Sequence, residues 1–373
     1  MDKIPYSIVD LNKKDLKKMN DIILSGWLAH GQASVDFESK FQEFTESSFA
    51  TTVSSCTAGL HLSCLALDIS SGDEVIVPAQ THTATAHAVE YTKAKAVFAD
   101  INYNTGNIDI SSIKSKINSR TKAVIPVHMA GKSCEMSEIK KICKLNNIRL
   151  IEDCAHGLGT KFNNKHVGNF GISGNYSFYP TKQITTGEGG MVTSNDKKFI
   201  EKIKKLKAFG INLPPQMRKK PSIYDIKYLG FNYRLTDFQA SMGLSQLNRY
   251  ELNLKKRKQN AKYFYKSFKN IANISMPEFS ESDSYFVFQI LLNNKKNRDR
   301  IAKILKENNI GYSIQYATPV PLLQYYKSKY GYKKKDFPNS VKYSENCISL
   351  PVHQKIGTKE INIIVDIIIK NIS

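Results

Sequence analysis

Residues 122–154 read KAVIPVHMAGKSCEMSEIKKICKLNNIRLIEDC. Two short β-rich runs, 122–128 and 148–154, enclose the helix-like segment MSEIKKICKLNN. The same alternation extends in both directions, from about residue 50 to 195, through the β-rich runs EVIVPA, AKAVFAD, NYSFY and GMVTS. Strands that alternate with helices predict an α/β domain with a largely parallel sheet. Because ligands of such sheets bind at the carboxyl ends of the strands, the residues after each run are the candidates for function.

The chain is predicted to form two domains. Residues 1–250 are assigned to a large domain that carries a helical segment at its amino-terminal end. Later in the chain, the strand-like run SYFVFQILL and the helical tail KEINIIVDIIIKNI indicate a smaller α+β domain, which is assigned to residues 251–373. An apolar helical pattern over residues 236–268 is predicted to connect the two.

Composition excludes several classes of function. The chain has 54 Lys and Arg against 33 Asp and Glu, a formal charge of +21, but the lysines are spread along the whole length. This distribution favours attraction of a small anionic substrate and disfavours nucleic-acid binding. The six cysteines show no metal-binding spacing, which indicates buried free thiols and no metal site. With no signal-peptide pattern and no apolar run near the roughly 20 residues that span a bilayer, we expect a cytoplasmic protein without a membrane segment.

Two candidate side chains lie at or just after the carboxyl end of the run IRLIEDC. Asp153 is its next-to-last residue, and His156 lies three residues further on. A carboxylate at this position is either a surface charge at a strand end or a buried partner for a cation, and the pattern alone does not separate the two. A lone histidine such as His156 is more often structural than catalytic.

Two further segments carry potential chemistry. SSCTAGLHL (54–62) opens a helix, and its Ser/Thr cluster is either an ordinary N-cap or an anion site at the positive end of the helix dipole. In SFYPTKQITTGEGGMV (177–192), Lys182 follows a strand end. Such a lysine is either solvated or partly desolvated, and desolvation would lower its pKa and allow it to form a Schiff base.

The combination of these residues is more specific than any of them alone. An Asp at one strand end, a Lys about thirty residues later, a Ser five residues before that Lys and a helix start upstream suit pyridoxal phosphate. Lys182 would bind the aldehyde, and Asp153 would pair with the pyridine nitrogen and strengthen the electron sink. The helix start and Ser177 would hold the phosphate.

Seven blocks in order resemble the DegT/DnrJ/EryC1/StrS family of nucleotide-sugar aminotransferases, between about residues 5 and 355. The resemblance implies an α/β fold of the fold-type I, aspartate aminotransferase-like class. Its large domain has a mostly parallel mixed sheet between helices, and its C-terminal domain is a smaller α+β unit. The blocks are SGWLAHGQASVDFESKF, SSCTAGLHLSCLAL, SGDEVIVPAQTHTATAHAVEYTKAKAVFADI, TKAVIPVHMAGK, IEDCAHGLGT, SFYPTKQITTGEGGMV and LGFNYRLTDFQAS.

The resemblance also implies roles for individual residues. Lys182 matches the lysine that binds the cofactor and moves the substrate proton, and Asp153 matches the partner of the pyridinium. His156 matches a position beside the cofactor ring near its hydroxyl. His82, in QTHTATA, matches a position that is usually aromatic and stacks on the ring.

The phosphate contacts implied by the resemblance are Thr57, Ala58 and Ser177. Asn232, in GFNYR, matches an asparagine that reaches the phosphate of the partner subunit, so the resemblance implies a homodimer with a shared active site.

The implied function is transfer of an amino group from glutamate to a keto sugar linked to a nucleotide diphosphate. A 4-keto-6-deoxyhexose is favoured over a 3-keto sugar, and the product would enter a polysaccharide such as lipopolysaccharide, a glycan or a secondary metabolite. Alternatives are a sugar dehydratase of the same fold and a 3-amino-5-hydroxybenzoate synthase. Relatives that remove a sugar hydroxyl often carry a histidine in place of Lys182, so Lys182 disfavours the dehydratase. Many relatives carry a histidine in the region of residues 316–326, and its absence here leaves the sugar undetermined.

Overall fold

A computed structural model describes residues 3–212, 220 and 223–372. Its elements alternate between strands and helices through the first half of the chain. The strands are β1 (Phe49–Val53), β2 (Glu74–Pro78), β3 (Lys95–Ala99), β4 (Thr121–Val124), β5 (Arg149–Asp153), β6 (Lys161–Phe162), β7 (Lys165–His166), β8 (Ser173–Ser177), β9 (Gly190–Ser194), β10 (Ile274–Ser275), β11 (Phe288–Leu292) and β12 (Cys347–Leu350). The helices are α1 (Lys13–Leu24), α2 (Gln32–Thr45), α3 (Cys56–Ala66), α4 (Thr83–Glu90), α5 (Ile110–Lys116), α6 (Met136–Leu145), α7 (Lys197–Leu206), α8 (Asp237–Leu247), α9 (Tyr250–Phe268), α10 (Lys295–Glu307), α11 (Gln324–Tyr330), α12 (Pro338–Asn346) and α13 (Thr358–Asn371).

The central sheet has, among the described residues, seven strands in the order β1-β9-β8-β5-β4-β2-β3. Neighbours from β8 through β5, β4 and β2 to β3 are parallel, while β9 runs antiparallel to both β1 and β8. Every residue of β2 is buried, as expected for a strand covered on both faces, and this explains its continuous apolar run. The predicted α/β class with a mostly parallel mixed sheet is confirmed.

A second, antiparallel sheet forms from β10, β11 and β12 in that order. Its core contains side chains of α9, α10 and α13, and also Ile4, which pairs with Ile310 in a parallel bridge. The helical pattern of residues 236–268 is not continuous, because α8 and α9 are separated at Asn248 and Arg249. The guanidinium of Arg249 binds the carboxylates of Asp10 and Asp15. These ion pairs hold the junction between α8 and α9 against the start of α1.

The helix α9 connects the two cores. Tyr250, at its first turn, is buried with side chains that pack on the central sheet, whereas Phe264 is buried against the second sheet. The second sheet is thereby held close to the edge of the central sheet at which the strands β5 and β8 end. Among the described residues, no helix combines the length and the apolar character needed to cross a bilayer. All six cysteines are buried and unpaired, as predicted.

Candidate active site

The carboxyl ends of the parallel strands bring the predicted site residues to one edge of the central sheet. Asp153 is the last residue of β5, and Ser177 is the last residue of β8. Helix α3 begins shortly after the end of β1, which points in the same direction as β8 because β9 is antiparallel to both. Topology therefore assembles segments that lie far apart in the chain.

Asp153 is a buried carboxylate, only 3% exposed. Its Oδ2 accepts a hydrogen bond of 2.8 Å from the Thr85 hydroxyl, and its Oδ1 accepts one of 3.0 Å from the backbone N–H of Ala155. The Cys56 thiol lies 3.8 Å from Oδ1. Of the two interpretations left open by the sequence, the surface charge is therefore wrong. Fixed donors on both oxygens orient the carboxylate.

Lys182 lies half-buried near this carboxylate. Its Nζ is 4.6 Å from the centre of the Phe286 ring, and no carboxylate oxygen of the described residues lies within 4 Å of it. Burial lowers the pKa of Lys182 from 10.5 to about 8, while Cys56 and Asp153 partly oppose this shift. At pH 7 about a tenth of such amines are neutral, far more than for a solvated lysine. Lys182 is therefore poised to act as a nucleophile and as a base.

His156 is buried and stacks on Phe286, with ring centroids 4.3 Å apart and an interplanar angle of 20°. Its Nε2 is 3.5 Å from the hydroxyl of Tyr316, but its Nδ1 is buried without a hydrogen-bond partner. Burial, helped by the charge on Lys182, holds the pKa of His156 well below 6.5. The imidazole is neutral, and one of its nitrogens is free to bind a group placed in the site.

His82 is the exposed N-cap of α4, where its Nδ1 accepts a hydrogen bond of 3.2 Å from Ala84 N–H. Its ring meets that of Tyr316 edge-to-face, with centroids 5.8 Å apart. Partial burial lowers the pKa of His82, and the charge on Lys182 lowers it further. The hydroxyl of Tyr316 lies 3.5 Å from His156, so the contact with Tyr316 brings His82 to the site. His82 therefore lies at the site, and its stacking on a cofactor ring stays a prediction.

The start of α3 presents backbone donors. The hydroxyl of Ser55 caps the helix by accepting the N–H of Ala58 at 3.0 Å. Among the described residues, nothing accepts the N–H groups of Cys56 or Thr57, which are unpaired by the geometry of a first turn. Thr57 therefore offers a free donor, whereas the N–H of Ala58 is already bound. Of the two interpretations that the sequence left open, the N-cap is present, and the anion site stays a prediction that the unpaired N–H of Thr57 allows.

Gly190 allows this helix start to lie against β9. A Cβ at Gly190 would come within 2.6 Å of the Ser55 carbonyl carbon and 2.7 Å of the Cys56 nitrogen. Gly190 pairs with Ser177, whose half-buried hydroxyl accepts a long hydrogen bond of 3.4 Å from the N–H of Tyr179. Ser177 and the α3 turn thus lie on either side of one glycine.

Asn232 lies on the surface of the chain. Its side chain is exposed, and its Oδ1 accepts a hydrogen bond of 3.1 Å from the Nε of Arg234. Its backbone bridges Ala208, and the carbonyl of the neighbouring Tyr233 accepts the N–H of Ser54 at 2.8 Å. The hydrogen bond that the Asn232 side chain forms within its own chain is to Arg234, and its role toward a partner stays a prediction.

Three further side chains complete the site and escaped the sequence argument: Thr85, Phe286 and Tyr316. The N–H₂ of Gln80 donates 2.8 Å to the carbonyl of Tyr316, which anchors that segment to the strand end of β2. Phe286 precedes β11, and Tyr316 lies in the segment 316–326, in which many relatives carry a histidine. No local pattern marks these aromatic residues, because their role arises from contact with elements distant in sequence.

The alternate face of β5 carries a second buried carboxylate, Glu152. With His128 and Cys154, it forms a group close enough to hold a metal ion. However, the oxygens of Glu152 accept the backbone N–H groups of Gly168, Phe170 and Gly171 at 2.7, 2.7 and 2.8 Å, and His128 at 3.2 Å. Because the carboxylate is already saturated, the cluster acts as a structural anchor for the loop that precedes β8.

Comparison with known proteins decides the family. The model of the DegT/DnrJ/EryC1/StrS aminotransferase family matches residues 9–369. This chain belongs to that family. The resemblance, the fold-type I architecture and the expectation of an aminotransferase are therefore confirmed.

Individual family members resemble the chain along almost its whole length. The GDP-perosamine synthase of Vibrio cholerae is 36% identical, over 93% of this chain and 93% of that protein. The spore coat polysaccharide biosynthesis protein SpsC of Bacillus subtilis is 33% identical, over 97% and 95%. The Helicobacter pylori aminotransferase PseC, involved in the biosynthesis of pseudoaminic acid, has a TM-score of 0.92 at 29% identity, over 100% of this chain and 99% of that one. The putative sugar aminotransferase Spr1654 from Streptococcus pneumoniae, solved in a PLP form, has a TM-score of 0.91 at 27% identity, over 99% and 98%.

Proposed function

We propose that this aminotransferase moves the amino group of glutamate onto the keto carbon of a sugar linked to a nucleotide diphosphate. A 4-keto-6-deoxyhexose is the proposed acceptor, ahead of a 3-keto sugar. The observation that carries the proposal is Lys182, a half-buried amine with a pKa of about 8 beside the oriented carboxylate of Asp153. The names of relatives such as GDP-perosamine synthase and PseC support a sugar as the acceptor.

The residues present fit pyridoxal 5'-phosphate, the cofactor of this family. Asp153 would hold the pyridine nitrogen, and the unpaired Nδ1 of His156 would bind a polar substituent of the ring. The free N–H groups at the start of α3, together with the Ser177 hydroxyl, would hold the phosphate. The amine of Lys182 would hold the aldehyde. When bound, this cofactor withdraws electrons from the substrate carbon, and both the pyridoxal and pyridoxamine forms serve in the two half-reactions.

The chain itself supplies proton transfer and positioning. Neutral Lys182 accepts a proton at Nζ and returns it to a neighbouring atom, and a pKa of about 8 makes both directions accessible near neutral pH. Asp153 is held in one orientation because Thr85 and the backbone of Ala155 donate hydrogen bonds to its two oxygens. Phe286 covers one side of the amine and thereby excludes water from it.

The positive net charge of the chain suits the proposed anionic substrate. An excess of 21 positive charges spread over the surface raises the local concentration of a nucleotide diphosphate sugar. SpsC, whose name places it in polysaccharide biosynthesis, supports a role in supplying an amino sugar to a polysaccharide such as lipopolysaccharide. Six buried free thiols support a reducing compartment, and the cytoplasm is the proposed location.

We further propose a homodimer with a shared active site. The apolar side chains of Leu24, Trp27 and Leu229 are 79%, 59% and 90% exposed, and a partner subunit that covered them would bury apolar area. Leu229 lies three residues from Asn232, so a partner that covers Leu229 would also come near Asn232. Mixing Lys182→Ala and Asn232→Ala subunits tests this arrangement. If the site is shared, the mixed dimer contains one intact site and recovers activity. If Asn232 serves its own chain, no activity returns.

The proposed reaction is tested with the purified protein, the cofactor, glutamate and a panel of nucleotide-linked 4-keto and 3-keto sugars. Mass spectrometry of the product should show replacement of a keto oxygen by an amino group, with release of 2-oxoglutarate. Lys182→Arg keeps the charge and serves as the matched inactive control. Release of 2-oxoglutarate without amination of any sugar in the panel would refute the proposed acceptor while leaving the aminotransferase intact.

A further inference from the structure

A basic cavity lies in the carboxyl-terminal part of the chain, behind the segment that carries Tyr316. Its volume is about 490 Å³, within the range of roughly 300–1,000 Å³ typical of small-molecule sites. The wall is formed by the start of α10, residues 317–319 and 322, α11, residues 332–334 and α12. None of the residues that surround Lys182 lines it.

Positive charge dominates this cavity. Five cationic side chains line it, against a single carboxylate among the described lining residues, that of Glu345. The cations are Lys295, Arg298, Lys327, Lys333 and Lys334. Only Lys334 approaches Glu345, at 3.8 Å, and no ion pair within 4 Å is formed by the described residues Lys295, Lys327 or Lys333. Uncompensated cations around a concave space attract an anion, and lysines in such a place are typical phosphate ligands.

A buried arginine gives the cavity a rigid base. Arg298 is 5% exposed, its Nη1 donates 3.3 Å to the carbonyl of Ser344, and its Nε lies 2.8 Å from a carboxylate oxygen of Asp299 without a hydrogen-bond partner. Lys295 begins α10 and Arg298 lies one turn later, so the helix fixes their relative positions. A guanidinium that is already ordered loses little entropy when it binds a phosphate.

The remaining walls suit an uncharged, flat group. Tyr332, Pro319, Leu322 and Val341 supply aromatic and aliphatic surface. Cations at one part of a cavity and apolar surface at another match the phosphates and the base of a nucleotide. We propose that this cavity is a second site, which binds a nucleoside diphosphate and takes no part in the chemistry at Lys182.

One segment separates this second site from the active site. Tyr316 contacts His82 and His156 on one side, whereas Ala317, Thr318 and Pro319 line the cavity on the other. The N–H of Val320 donates 2.8 Å to a backbone carbonyl at the end of β2, which pins the segment to the central sheet. A ligand in the cavity is therefore expected to change the kinetics through this segment without competing for the active site.

Isothermal titration of the holoenzyme with GDP at low salt tests the proposal, with inorganic pyrophosphate as a second probe. The double variant Lys295→Ala/Lys333→Ala removes two lining cations. The double variant Lys303→Ala/Lys306→Ala removes two exposed cations of the same helix that do not line the cavity. We expect the first variant to bind GDP at this site about tenfold more weakly or worse, and the second to bind as the unchanged protein does.

Stoichiometry separates the cavity from the active site, which would also bind a nucleotide if the proposed function is correct. Two GDP per chain of which one is lost in the cavity variant, or a single GDP that is lost in that variant, supports the proposal. No binding, or binding that is the same in both variants, overturns it, and pyrophosphate binding as tightly as GDP overturns the nucleoside part. Failure to aminate any nucleotide sugar would refute the proposed function but not the second site, because the titration of the cavity variant measures GDP binding independently of turnover.

Discussion

Lys182 is expected to react with aldehydes at a pH where ordinary lysines are inert. Its pKa of about 8, against 10.5 for a free side chain, corresponds to a neutral fraction at pH 7 that is about 300-fold larger. The rate at which the apoenzyme captures pyridoxal 5'-phosphate should therefore rise about tenfold per pH unit below 8 and level off above it. The sign follows from burial, which disfavours the charged amine and so extends the neutral form to lower pH.

Stopped-flow absorbance of the cofactor measures this capture, and peptide mass spectrometry after borohydride reduction identifies the lysine. N-acetyl-lysine is the solvated reference, and Lys182→Ala should lose the fast phase. Asp153→Asn should move the midpoint below that of the unchanged protein, because Asp153 raises the pKa of Lys182. The other opposing group, the Cys56 thiol, has a pKa raised well above 9 by burial and is neutral in this range. A midpoint near 10.5 would show that Lys182 is solvated and would refute the reasoning.

Three further substitutions test the supports of the site. Thr85→Val removes the 2.8 Å hydrogen bond to Asp153, and we expect kcat of the glutamate half-reaction to fall about tenfold. An unchanged kcat would show that Thr85 does not position the carboxylate. Glu152→Gln weakens three charge-assisted hydrogen bonds to the loop before β8, and the free energy of unfolding should fall by about 2–3 kcal/mol in thermal or urea melts. Gly190→Ala places a Cβ 2.7 Å from the Cys56 nitrogen and so displaces the start of α3. Equilibrium dialysis should then show at least about tenfold weaker retention of the cofactor, and normal retention would mean that α3 does not bind the phosphate.

Prediction from the sequence succeeded where the signal is local. The runs EVIVPA and IRLIEDC became β2 and β5 with their apolar residues buried, because strand formation leaves a pattern within a few residues. The apolar pattern over residues 236–268 predicted one continuous helix, whereas the structure has two. The break at Arg249 could not be predicted from the local pattern, because it depends on carboxylates near α1 that are distant in sequence. Phe286 and Tyr316 were not singled out as site residues, because only packing of the second part of the chain brings their rings to His156.

The sequence by itself determined the α/β class, because strand-like and helix-like segments alternate along it. It also indicated the edge of the sheet where a site would lie, and it marked Lys182 and Asp153 as the residues to examine. These conclusions depend on periodicity, strand ends and the order of motifs, all of which can be recognised from the sequence without knowledge of tertiary contacts. Only the tertiary structure decided that Asp153 is buried and that Lys182 is a weak enough base to react. The physical reason is that a pKa depends on water removed and charges placed by residues distant in sequence, here the ring of Phe286 and the donors around Asp153.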